Sequence, residues 1–446
     1  MTTIDAARST LPRASLPDTM LFLSAVVMPL IGKGVILRRP PMVAAAERLG
    51  LDRGAVRTMQ RLRRRYGPGP VLLPVPLHPY AVVLSPEHAT RVLRESPEPF
   101  ATASDEKRSS LSHFEPHGVL ISDSRERAHR RPFNEAVLDT PCPAHRLAER
   151  FLSVVEEECA GLAFAARQRG TLRWSDFAVT WWRMARRVTF GDGAREDHEL
   201  TDLLARLRAD ANWAFLHPRR DRVRARFMTR LRAQLDRAEP GSLAAVMAST
   251  AAAPGTDPAG QVPQWLFAYD GPARATFRTL AMLATHPAEA EQARADIAAA
   301  GPGTGLKALP YIRACVLDTL RLWPTTPVLL RQVATPVDWA NGRMAAGTGV
   351  IIFSPFFHRD GERLAQADRF SPETWLKGRP EEMGFVPFSD GPAECPGRNL
   401  ALMLSSATVA SLMREGAFTL ERPAGIGPHR PLPGTLSAYG LRFRMG

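Results

Sequence analysis

Four cysteines are scattered through the chain, Cys142, Cys159, Cys315 and Cys395, with no Cys-x-x-Cys pair among them. That spacing suggests neither a zinc site nor a disulfide framework. Cys395 differs from the others in its setting: Phe388-Ser-Asp-Gly391-Pro-Ala-Glu-Cys395-Pro396-Gly397-Arg398-Asn399-Leu400-Ala401, broken by two prolines. The apolar run Leu400 to Met413 follows and reads as a helix with a polar side at Ser405, Ser406 and Thr408. A cysteine in a loop just ahead of a helix start meets unpaired N–H groups and the positive end of the dipole, which favour thiolate over thiol. A thiolate can ligate iron. Gly391 and Gly397 let the backbone turn tightly and approach a flat group closely, and Phe388 can pack on the sulfur side and restrict water.

The pattern F-x-x-G-x-x-x-C-x-G-x-x-x-A, from Phe388 to Ala401, resembles the haem-binding loop of the cytochrome P-450 monooxygenases, here of the soluble bacterial type. One feature departs from it. Many members carry Arg or His two residues before the cysteine, where a side chain reaches a haem propionate, and this chain has Ala393. The resemblance covers roughly Tyr66 to Arg422. It implies a mainly α fold with small β-sheets in a single large domain, residues 41–446, preceded by an extension over 1–40 with an apolar segment. Cys395 is then the axial ligand of haem b, with Phe388, Gly391, Gly397 and Ala401 shaping the loop around it.

The same resemblance assigns roles elsewhere. Arg127 and Arg131 are four apart, share a helix face and correspond to a basic pair that often holds haem propionates; a solvated basic face is the alternative, because Arg125 and Arg130 crowd the same stretch. Arg331 is a further propionate ligand, and Thr325 to Leu330 line the substrate side. In Val262 to Thr285, Gly271-Pro272 should kink an otherwise apolar helix. The family's distal helix carries an acid followed by an alcohol that relay protons. Here the acid is Asp270 and the alcohol position is Gly271, which offers no donor. Asp270 could instead only bridge helices through a buried ion pair. Asp318 and Arg321, on a helix over 306–322, replace the family's E-x-x-R pair, with Arg369 as the expected third member of a buried network.

Around these residues the chain reads as an ordinary globular protein: 446 residues, 45% hydrophobic and 23% charged, with no repeat. The net charge of +13 is dispersed over helical stretches without interleaved aromatics, which argues against nucleic acid and suits a solvated face or a docking surface for an acidic electron donor, a ferredoxin or flavodoxin. Met20 to Ile31 contains Ser24 and Pro29 and is too short to span a bilayer. It reads as a packed helix, with a weak membrane-surface contact as the alternative. A basic helical stretch over Met42 to Tyr66, a small hairpin over Val71 to Leu84, and amphipathic helices over 144–250 with Trp181, Trp182, Trp213 and Phe215 in the core complete the expectation, and the resemblance implies that part of 200–235 lies over the substrate cavity as a lid. The absence of a secretory signal and of paired cysteines suits a reducing cytoplasm.

Three functional readings follow. The first is a monomeric monooxygenase oxidising a hydrophobic small molecule with O2 and electrons from a separate donor. The second is a haem-thiolate peroxygenase or a coupling or rearrangement enzyme, which Gly271 favours. The third is a non-catalytic haem-binding sensor.

Overall fold

A computed structural model describes residues 10–76, 78–301 and 308–445. Gly-Val-Ile-Ile-Phe over Gly349–Phe353 is β-rich and buried at every position, and it forms the centre of a five-stranded sheet. Val328–Val333 pairs with it antiparallel and Tyr80–Val82 parallel. Val71–Leu73 and Phe100–Ala101 close the two edges. The expected hairpin is therefore present, from Val71–Leu73 to Tyr80–Val82.

A larger helical core lies beside the sheet. At its centre is Arg398–Glu415, buried almost continuously from Leu400 to Leu412. A helix covered all round belongs in an interior. Ser405, Ser406 and Thr408 are buried rather than forming a solvent side, and Thr408 Oγ1 donates to Leu404 O at 2.7 Å. Ala148–Arg169, Trp174–Phe190 and Asp270–Thr285 pack around it.

Local chemistry shifts several boundaries. The basic stretch is two helices, Pro40–Arg48 and Leu51–Tyr66, separated where Gly50 takes φ +62°. The helix expected over 306–322 is described from Pro310–Leu322, its first two residues lying outside the described ones. The distal helix is divided into Val262–Ala268 and Asp270–Thr285, because Pro272 has no N–H to donate to Ala268 O.

The N-terminal apolar run is longer than expected. Leu16–Phe22, a wide-turn segment Leu23–Val27 and Met28–Lys33 follow one another without a break, the wide turn accommodating Pro29. Phe22, Val26 and Leu30 pack into the sheet core. By length and composition alone Leu16–Lys33 is long and apolar enough to cross a membrane, and a third of it is buried inside the protein. Trp213 and Phe215, expected in the core, are exposed, and the loop carrying them sits on the N-terminal segment through Arg39 stacked on Trp213.

Candidate active site

The cysteine loop is tied down at both ends. Cys395 N–H donates to Phe388 O at 2.9 Å, closing the loop on itself. Gly391, with φ +68°, lies where a Cβ would come within 2.7 Å of the Leu93–Arg94 backbone. That position needs glycine for packing against protein, whereas the expectation was close approach to a cofactor. Gly397 precedes the helix Arg398–Glu415, and a Cβ there would meet nothing within 4 Å. Ala401 follows one turn later, its N–H on Gly397 O at 2.9 Å. Phe388 packs with Ala275, Leu320 and Leu402.

Cys395 is half-buried, and Phe388 and Ala401 of its loop wall an internal cavity. Across from it the distal helix turns a stripe of small or accessible residues toward open space: Ala268 is exposed in mid-helix, and Gly271 and Pro272 are partly so, while Val262, Leu266 and Ala273 are buried. A cavity walled by Pro272, Ala275, Thr325, Phe388, Ala401 and Ser405 joins this helix to the cysteine loop. Burial pushes the thiol up, and the Gly397 N–H and Arg131 only partly offset it. The helix start was expected to favour thiolate. In the protein alone, desolvation wins, and a bound cation is what would reverse it.

The helix carrying the basic pair, Ser124–Leu138, opens on a capping box between Asp123 and Glu126. Both arginines hold the cysteine loop. Arg127 Nη2 donates to Pro392 O at 3.2 Å, and Arg131 Nη1 to Glu394 O at 2.6 Å. They are not equivalent beyond that. Arg131 is neutralised by Glu135 at 2.6 Å. Arg127 faces Arg331, and burial with Arg131 pushes it down to about 10.

Arg331 is held by Ser96 and Ser389 hydroxyls and by Leu330 O, and is pushed down to about 10 by burial and by Arg127. Lys107, which sequence reasoning missed, joins them. Its ammonium donates to Thr102 O at 2.7 Å and Leu330 O at 2.9 Å, and burial, Arg331 and Arg127 hold it well below the usual lysine range. Its neighbour Glu106 is bonded to the Tyr80 phenol. Among the described residues no carboxylate pairs with Lys107, Arg127 or Arg331. Buried cations without counter-charge are costly. Three of them beside a cysteine loop that walls an internal cavity fit a flat cofactor bearing two carboxylate arms, as haem does. The position of Lys107 also offsets Ala393. A lysine on the short helix Asp105–Leu111 carried no spacing signal that could have found it.

On the distal side Asp270 is not free to relay protons. Its Oδ2 accepts from Arg208 at 2.7 Å and Arg274 at 2.6 Å. Burial alone would raise this carboxyl, but the two guanidiniums override it and hold it well below the usual carboxylate range. The ion-pair alternative describes this arrangement. Gly271 packs against Thr325: a Cβ there would stand 3.2 Å from Thr325 Oγ1. A hydroxyl thus lies beside the position that lacks one, contributed by the segment after Pro310–Leu322.

Asp318 and Arg321 are fully buried and bidentate, at 2.6 and 3.1 Å. Arg321 also donates to the carbonyls of His358, Ala367 and Arg369. Arg369 contributes only that carbonyl; its side chain is exposed, because the irregular segment turns it outward. The places expected for it are filled by Ser371 N–H at 2.8 Å and Trp375 Nε1 at 3.1 Å, both donating to Asp318. His358 passes the support on, its Nε2 accepting from Val386 N–H at 2.9 Å, two residues before Phe388.

Residues 268–436 match the family described as Cytochrome P450, a span that includes the distal break, the Asp318 network and the cysteine loop. The chain is similar to Cytochrome P450 714C3 of Oryza sativa subsp. japonica, 33% identical over 31% of this chain and 30% of that protein. It is similar to the tabersonine/lochnericine 19-hydroxylase of Catharanthus roseus at 33%, over 26% and 24%, and to Cytochrome P450 4V2 of Rattus norvegicus at 31%, over 25% and 22%. The chain aligns with less than two fifths of the length of these curated relatives. The part of the chain that carries the broken helix, the Asp318 network and the cysteine loop, residues 268–436, is thus the part that is similar to the cytochrome P450 family.

Proposed function

We propose that the protein is a haem-thiolate oxidoreductase, a monooxygenase acting on a hydrophobic small molecule. The observation that carries this reading is the Cys395 loop walling a cavity beside buried Arg127 and Arg331 and half-buried Lys107, none of which has a carboxylate partner among the described residues. Haem b bound through Cys395 supplies oxygen activation, assisted by electron donation from the thiolate. The chain's own residues do the rest. Lys107, Arg127 and Arg331 would hold the two carboxylate arms, Arg127 and Arg131 fix the carbonyls of the loop, and Phe388 limits water near the sulfur. Leu329, partly accessible and on the face of the strand Val328–Val333 that also carries Arg331, would offer the substrate an apolar contact.

Electrons would come from a separate acidic donor, a ferredoxin or flavodoxin. Exposed Arg125, His129 and Arg398, on the two helices that flank the cysteine loop, support docking of such a partner.

One observation favours a second reading, a peroxygenase or another enzyme with non-standard oxygen activation. Asp270 is locked between two guanidiniums and Gly271 has no side-chain donor, so the usual acid–alcohol pair is absent. The reduced carbon monoxide complex tests the shared core of both readings. Wild type should show the red-shifted Soret band of a thiolate ligand and Cys395→Ser should lose it. A mutant that keeps the band sinks the assignment of Cys395.

A further inference from the structure

A second group of buried cations lies on the far side of the distal break. The loop after Lys33 is pinned down by Asn212, whose Oδ1 accepts from Ile36 N–H at 2.9 Å, and by Arg208, which donates to Ile36 O at 3.2 Å. That anchoring points Arg38 inward. Its Nη1 donates to Gly34 O at 2.6 Å and its Nη2 to Thr325 O at 3.0 Å. Arg38 is therefore one residue's thickness from Gly271, against which Thr325 packs. Thr325 also walls the cavity that reaches Phe388 and Ala401, so the Arg38 guanidinium is hydrogen-bonded to a residue of that wall.

The charges around it do not balance. Arg208 and Arg274 share Asp270. Lys33 is paired with Asp52, which also accepts from Thr435. Arg278 donates only to Leu436 O and Trp323 O. Glu47 accepts from Ser437 N–H, and burial raises its carboxyl. Glu115, the other carboxyl near Arg208, is buried with both oxygens unpartnered, and burial pushes its carboxyl up. Five cations, Lys33, Arg38, Arg208, Arg274 and Arg278, thus face four carboxyl groups, Asp52, Glu47, Glu115 and Asp270. Among the described residues no carboxylate oxygen lies within ion-pair distance of Arg38 or Arg278. Burial and Arg274 push both guanidiniums down, to about 10 and about 9. A deficit of negative charge in a desolvated place is relieved by an anion, and a guanidinium fork suits a carboxylate.

We propose that the substrate of this site carries a carboxylate, received by Arg38, with an apolar body lying in the cavity walled by Pro272, Ala275, Thr325 and Phe388. This deepens the functional reading above and rests on it for the identity of the chamber. Arg38, on the N-terminal segment, is the residue that selects for the anion. Its position also brings an ionisable group of the ligand close to Gly271, which has no side-chain donor of its own, and to the Thr325 hydroxyl beside it.

The test compares equilibrium binding of an alkyl carboxylate, the alkanol and the alkylamine of the same chain length, below their micellar concentrations. Calorimetry and the Soret perturbation of the haem-loaded protein are read in parallel. The carboxylate should bind about tenfold or more tightly than the alkanol at low salt, the amine most weakly. Arg38→Gln should remove the preference and leave alkanol binding unchanged, and Arg38→Lys should keep part of it. Equal affinity of wild type for carboxylate and alkanol overturns the proposal, as does a preference that survives in Arg38→Gln. If Arg38→Gln does not fold, the wild-type comparison and Arg38→Lys decide it. A missing thiolate band with an intact carboxylate preference by calorimetry would instead count against the haem reading.

Discussion

Asp318→Asn isolates the buried ion pair from every other change at the site. The substitution keeps the shape of the side chain and removes its charge, leaving Arg321 fully buried with three carbonyls and no anion. Half of the amide also presents donors to Ser371 N–H and Trp375 Nε1, which now donate to the carboxylate. Removing one partner of a buried pair costs about 3–5 kcal/mol. With an unfolding entropy of roughly 2.1 cal/mol/K per residue, a chain of 446 residues loses about 1 °C of melting temperature per kcal/mol, so the expected shift is roughly 3–5 °C. Thermal unfolding followed by circular dichroism reads it. Because His358 links this network to Val386, the Soret band of the carbon monoxide complex should decay at a lower temperature as well. A variant melting within 1 °C of wild type refutes the argument. Asp318→Glu is a second probe: Asp already reaches Arg321 in bidentate fashion, so an added methylene overfills a closed site and costs about 1–3 kcal/mol.

Lys107→Met should act with opposite signs in the two forms of the protein. Without cofactor it relieves repulsion from Arg127 and Arg331 and raises the melting temperature, whereas haem transfer to an acceptor protein should become about tenfold or more faster; a variant that loses stability without cofactor contradicts the charge argument. Gly271→Thr should fold, since its Cβ needs only a few tenths of an ångström from Thr325, and uncoupled peroxide formation should fall as a hydroxyl is restored; unchanged coupling means that the missing alcohol is not the limiting donor. His358 donates from Nδ1 to Arg321 O and accepts at Nε2, and burial followed by Arg321 pushes it down to about 3. Its folded value lies below the unfolded value near 6.5, so its contribution is complete above that pH and is lost as pH falls toward 3, at about 1.4 kcal/mol per unit. His358→Gln should show an acid limb shallower by that slope between pH 6 and 4, and an identical limb would contradict it.

The proximal half of the site was legible because its chemistry is local in sequence. A loop of fourteen residues contains the cysteine, the bend and the start of its helix, and spacing alone arranges them. Asp318 and Arg321 were legible for the same reason, being one helical turn apart. Arg369 was not, since its assignment depended on which way an irregular segment turns its side chains. Backbone groups of Ser371 and the indole of Trp375 took its place, and neither has a sequence signature for that role. The N-terminal run was underestimated because Pro29 was read as an interruption, while a single wide turn before it lets the helix continue.

The distal half depends on contacts across long sequence separations, and those decide what Asp270 can do. Its identity suggests an acid ready to deliver protons. Arg208, sixty-two positions away, and Arg274, four away, convert it into a permanent anion. Once its charge is committed, the two expected functions of the helix separate: Asp270 braces the helix His198–Ala211 against the distal helix, and any side-chain proton handling must come from Thr325, from water or from the ligand. Arg38 then connects the anchored N-terminal segment to that same point. A substitution of Arg38 should therefore alter ligand preference even though it lies more than 350 residues from Cys395, because its guanidinium, without an ion-pair partner among the described residues, is bonded to Thr325.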